Sequence, residues 1–132
     1  MNNLQTIREK VMPMHILIVD DEDAIRDGTI NFMKKFCSHV DGAENGEAAL
    51  KMVEDQGSYD MVLTDIRMPK MSGWDLAKEL KDSHREIFVA VMTGSPEFSG
   101  IHKEDCDVYM TKPIDISNMT LMLEALIEKK SL

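Results

Sequence analysis

The chain has 132 residues, 43% of them hydrophobic, which suits one globular domain with its own core. A formal net charge of −9 argues against direct nucleic-acid binding, which needs a basic footprint. No apolar run is long enough to span a bilayer, and residues 1–13 lack the apolar stretch of a secretory signal. A cytoplasmic protein that engages neither membrane nor nucleic acid is expected, with residues 1–13 as a short N-terminal arm before a domain over 14–132.

Cys37 and Cys106 have no CxxC spacing, so reduced thiols are expected rather than a disulfide. His15, His39, His84 and His102 are scattered, which argues against a zinc site.

Strand-like and helix-like patterns alternate along the chain. HILIV (15–19) reads as a first strand, and Ile25, Phe32, Met33 and Phe36 mark a helical face after it. HVDGA (39–43) is a weaker strand, followed by helical spacing at Ala49, Met52 and Val53. MVLT (61–64) reads as a strand buried on both faces, and Pro69 and Gly73 then break the chain. Ser72 with Asp75 three residues on resembles a capping box, opening a helix marked by Leu76, Ala77 and Leu80. IFVAVM (87–92) and VYM (108–110) are the remaining strands. Met119, Met122, Leu123, Leu126 and Ile127 describe one face of a final helix. Most of the twelve methionines fall at such positions and read as adaptable core filler.

Alternating units of this kind predict a parallel sheet with helices on both faces. In such sheets, ligands bind outside the carboxyl ends of the strands. An aspartate ending a strand, as Asp65 does, is ordinarily a cap for the next turn or helix. Here the other strand ends also carry reactive groups: Asp20 and Asp21 after the first, Thr93 after the fourth and Lys112 after the fifth. Three carboxylates gathered at one edge repel unless they are protonated or neutralised by a cation. Hard oxygen ligands suit Mg2+, or Mn2+ in its place. A lysine and a threonine opposite could hold phosphoryl oxygens. No glycine-rich nucleotide cradle is present, so the edge suits a single phosphoryl group on a carboxylate.

ILIVDDE, VLTDIRMPKMSGWDL, VAVMTG and YMTKP, in this order, resemble the signatures of the receiver domain of two-component response regulators. The resemblance covers residue 14 to about residue 130. It implies a flavodoxin-like, doubly wound five-stranded parallel sheet in the order 2-1-3-4-5, and a phosphorylation-dependent switch in a two-component system or phosphorelay. Asp65 would be the phosphoacceptor, served by a sensor histidine kinase or a histidine phosphotransfer protein. Asp21 would ligate Mg2+ directly, Asp20 largely through water, and the backbone carbonyl of Arg67 would join Asp65 in the shell. Thr93 and Lys112 would hold phosphoryl oxygens, and Tyr109 would be the aromatic that swings inward. Lys112-Pro113 corresponds to the family's cis peptide. The Arg67 and Ser95 side chains would flank the path of the hydrolytic water. No catalysis is expected beyond the domain's own phosphoryl transfer and dephosphorylation, and the downstream target is left open.

The sequence departs from the family between Thr93 and Lys112, where Pro96 and Gly100 imply a short or irregular fourth helix. Ser72 and Lys70 replace a common Asp and a common Gly, which implies a change of local shape rather than of chemistry. Two other readings stand beside this one. A pseudo-receiver would bind partners without phosphorylation. A haloacid-dehalogenase-type phosphatase would use the DxD spacing of Asp21 and Asp23, but beyond the lysine only Asp115 could serve as its further acidic pair.

Overall fold

The computed structural model describes residues 3–94, 103–112 and 114–131. Alternating burial along the strands sets the architecture. In β1 (His15–Val19), Ile16 and Ile18 enter one core while Leu17 and Val19 enter the other. The same division separates Met61 and Leu63 from Val62 in β3 (Met61–Asp65). It also separates Phe88, Ala90 and Met92 from Val89 and Val91 in β4 (Phe88–Thr93). A period of two with both faces buried requires helices above and below the sheet.

β1 pairs in parallel with β2 (His39–Ala43) and β3, β3 with β4, and β4 with β5 (Val108–Thr111). The strand order is β2-β1-β3-β4-β5, as expected. One face is covered by α1 (Asn3–Val11), α2 (Asp23–Met33) and α5 (Ile116–Lys130), the other by α3 (Gly46–Gln56) and α4 (Gly73–Ser83). Met119, Met122, Leu123 and Leu126 are fully buried on α5, and Ile127 packs at the margin of that core. Met33, Met61, Met92, Met119 and Met122 are fully buried core filler. Cys37 and Cys106 are buried free thiols.

The segment expected as an arm is helical over Asn3–Val11 and packs on α5. Ile7 and Val11, four residues apart on one face, are buried in the core below β1. Burying such side chains contributes roughly 1.5–3 kcal/mol each, enough to fix a short helix that would be marginal alone. Much of the crossover between β4 and β5, including Pro96 and Gly100, lies outside the described residues. Its described end is a 3-10 turn at Lys103–Asp105.

Candidate functional site

Each functional side chain sits where a strand runs out. β1 hands over to Asp20 and Asp21, β3 ends on Asp65, and β4 ends on Thr93. Lys112 follows β5, and its backbone N–H donates to the Thr93 carbonyl at 2.7 Å. Asp20 is fully buried, Asp65 is 8% exposed and Thr93 is buried, whereas Asp21 is exposed.

Asp20, Asp21 and Asp65 each offer an oxygen, and these oxygens lie within 4.8 Å of one another. It is the one such acidic cluster among the described residues. Lys112 Nζ stands 3.3 Å from Oδ2 of Asp65 and 3.4 Å from Oδ2 of Asp20. The backbone N–H of Glu22 donates to Oδ1 of Asp20 at 3.0 Å, and that of Ile66 to Oδ1 of Asp65 at 2.9 Å. Burial raises the Asp65 carboxyl above the usual carboxylate range. Lys112 pulls it down, but the Asp20 charge adds to the rise. A converging set of hard oxygens with one lysine charge among them fits a small divalent cation.

Asp65 is held from behind. The Thr64 hydroxyl donates to the Asp65 carbonyl at 2.9 Å, and the Gly73 N–H donates to the Ile66 carbonyl at 2.8 Å. A Cβ on Gly73 would come 2.1 Å from the Asp65 carbonyl oxygen, so α4 approaches this closely only with glycine there. Ser72 and Asp75 form the expected capping box at the start of α4. Lys70, in the same loop, adopts a left-handed φ of 68°, a conformation that glycine takes without steric cost.

The structure brings together Asp20, Asp21, Asp65, Thr93 and Lys112. Tyr109 is half-buried against the core under α3 and α4, and the Arg67 side chain is exposed. Ser95 and Pro113, with the expected cis peptide, lie outside the described residues. Asp115 caps α5 by accepting the Asn118 N–H at 2.8 Å, and Asp23 pairs with Arg26. Two of the three acids of the phosphatase reading, Asp23 and Asp115, therefore have structural work at helix starts. Sequence reasoning missed Thr64 and Arg26. A lone hydroxyl in an otherwise apolar buried strand was the signal for Thr64.

Comparison with known proteins bears directly on this edge. Residues 16–124 match the response regulator receiver domain. The chain belongs to that family. Response regulator RR06 of Streptococcus pneumoniae is 30% identical over 118 residues, covering 88% of this chain and 54% of its own length. A response regulator receiver domain from Clostridium thermocellum superposes with a TM-score of 0.81 at 26% identity, covering 89% of this chain and 97% of its own. Response regulator TrrA of Thermotoga maritima is known in complex with Mg2+-BeF (TM-score 0.77, 30% identity, covering 86% of this chain and 99% of its own). It is also known in complex with the histidine kinase ThkA (TM-score 0.75, 31% identity, covering 86% of this chain and 98% of its own). This receiver spans between 11% and 54% of the first three curated relatives that it matches. Receiver domains bind Mg2+ at an acidic site and act in general as signalling switches. Among the described residues, no helix is long and apolar enough to cross a membrane.

Beside the site, a groove of about 580 Å3 runs between α2 and the end of β4, lined by Ile25, Gly28, Thr29, Phe32, Met92, Gly94, Lys112 and Ile114. Ile25 is 39% exposed on its rim. Of the helical face read from the sequence, Met33 and Phe36 are buried and Phe32 packs half-buried against that core, whereas Ile25 stays exposed.

Proposed function

We propose that this receiver accepts a phosphoryl group on Asp65 from the phosphohistidine of a sensor kinase or a histidine phosphotransfer protein, and that this modification switches its surface for a downstream protein. The observation that carries the reading is the convergence of three carboxylates and Lys112 at one sheet edge, with Asp65 buried but reachable. An Asp65 oxygen attacks phosphorus in line with the imidazole nitrogen. The new O–P bond forms as the N–P bond breaks, and the nitrogen keeps the bonding pair. Asp20, Asp21, Asp65 and the backbone carbonyl of Arg67 would hold Mg2+ or Mn2+, which when bound neutralises charge on the phosphoryl oxygens.

Lys112 and the Thr93 hydroxyl take the remaining phosphoryl oxygens. Because the Lys112 N–H is bonded to the Thr93 carbonyl, a pull on either residue reaches β5 and Tyr109, the aromatic of the switch. The TrrA complexes with Mg2+-BeF and with ThkA support both the metal and the kinase. The groove beside Lys112 gives an apolar histidine-bearing partner a place to dock within reach of Asp65. The negative charge favours protein partners over nucleic acid. The catalysis it performs is confined to its own phosphorylation and dephosphorylation.

The test is intact-mass analysis after incubation with acetyl phosphate. One phosphoryl group is taken up with Mg2+, none with EDTA, and none by Asp65→Asn, which keeps the shape and removes the nucleophile. Stoichiometric labelling of Asp65→Asn overturns the assignment.

A further inference from the structure

Arg26 lies in the first turns of α2 and sends its side chain back toward the helix start, the direction helical geometry favours. Its guanidinium forks between two oxygens. Nη1 donates to the Asp20 main-chain carbonyl at 2.8 Å, and Nη2 meets Oδ1 of Asp23 at 2.6 Å. Asp23 is 82% exposed, so that ion pair alone stabilises little. The carbonyl bond is the informative one. The Asp20 N–H bonds the Ala43 carbonyl at 3.2 Å, the backbone then leaves the sheet, and the Asp20 carbonyl finds its donor in Arg26.

The peptide unit bearing that carbonyl also bears the Asp21 nitrogen. A donor fixed on the carbonyl therefore sets the direction in which the exposed Asp21 leaves the chain. The other side of the turn is held by the Glu22 N–H on Oδ1 of Asp20. Gly42, opposite Ile18 in the β1–β2 register, provides the seat for Arg26. A Cβ there would come 2.8 Å from Cδ1 of Ile30 and 3.3 Å from Cδ of Arg26, so a larger residue would force Ile30 to move and press on the arginine stem.

We propose that Arg26, seated on Gly42, is a positioning residue for the divalent-ion site, holding the Asp20–Asp21 peptide so that its carboxylates stay converged on Asp65. The proposal rests on reading that acidic cluster as a divalent-ion site. Like-charged carboxylates drift apart unless the backbone beneath them is fixed. Outer groups that orient metal ligands are typically worth about 10–100-fold in affinity.

The test is a Mn2+ titration of the full chain followed by electron paramagnetic resonance, which counts free ion without relying on phosphorylation. Arg26→Gln should raise the Mn2+ Kd about tenfold. Gly42→Ala, which keeps the guanidinium but crowds the arginine stem, should shift it in the same direction. The thermal midpoint of each metal-free variant is recorded beside its Kd. A lowered midpoint with a Kd within twofold of the parent is what a merely structural brace gives, and in either folded variant it overturns the proposal. A parent protein that binds no Mn2+ overturns the divalent-ion reading itself, a failure distinct from that of Arg26.

Discussion

Lys112 Nζ lies 3.3 Å from Oδ2 of Asp65, pairing the residue after β5 with the residue that ends β3. The same nitrogen is 3.4 Å from the fully buried Asp20, so one lysine stands between two carboxylates of the cluster. Without a divalent ion, its charge offsets the repulsion between them.

Lys112→Ala should therefore destabilise the metal-free protein by about 2 kcal/mol, below the figure for breaking a fully buried pair because the lysine is 23% exposed. Saturating Mg2+ should close most of that gap, since the ion takes over the neutralisation. Urea melts in EDTA and in Mg2+ measure both. An equal deficit in the two conditions would show that Lys112 acts through packing rather than charge.

Asp65→Asn should be more stable than the parent in EDTA at neutral pH. Burial and the Asp20 charge raise the Asp65 carboxyl above its unfolded value, so ionising it costs folding free energy. That cost is absent in acid, below the unfolded value near ~4, and grows as pH rises toward the folded value. The stability difference between variant and parent should shrink accordingly on acidification. Thermal melts at several pH values check it, and a difference that does not change with pH rejects it. Asp21→Ala, by contrast, removes an exposed charge and should weaken Mg2+ binding with little change in metal-free stability.

Lys70→Gly should stabilise the fold by about 0.5–1 kcal/mol. A side chain at φ 68° costs roughly 1–2 kcal/mol, and the extra freedom of glycine in the unfolded chain returns part of the gain. Chemical denaturation reads the difference. A destabilised Lys70→Gly would mean that the lysine side chain holds the loop despite its backbone.

The strands were legible because period-two burial and apolar runs coincide. β1 and β2 fall on the residues read from the sequence, and β3 and β5 each extend one residue further. Asp20, Asp21, Asp65, Thr93 and Lys112 were legible because a parallel sheet forces its strand ends together. The helix at Asn3–Val11 was not, since of Leu4, Ile7 and Val11 only the last two are buried, and they gain meaning only from the α5 surface they meet. Arg26 was equally silent. Its role depends on a backbone carbonyl and on Gly42 of a neighbouring strand, neither of which leaves a periodic trace. Lys70 was visible as a departure from the family's common glycine, and its left-handed φ supplies the reason that glycine suits the position.

At the opposite end of the sheet, Tyr59 and His15 both bond Oδ2 of Asp41 at 2.7 Å, fastening the edge strand β2 to β1 and to the turn before β3. Burial acts to raise the Asp41 carboxyl, but the Tyr59 and His15 bonds and the nearby histidine charges outweigh it and hold it below the ordinary range. The stability this contributes is fully present above the unfolded aspartate value of ~4 and is lost as pH falls through the folded value. Tyr59→Phe keeps the buried ring and removes only the hydroxyl. It should cost about 1 kcal/mol at pH 7, below the usual figure for a bond to a charged group because the Asp41 side chain is 37% exposed. As Asp41 becomes protonated in acid, the hydroxyl loses its charged partner and the deficit should narrow. Urea melts of parent and Tyr59→Phe from neutral pH down to the acid limit of folding measure it. A deficit of constant size across that range would assign Tyr59 to packing alone.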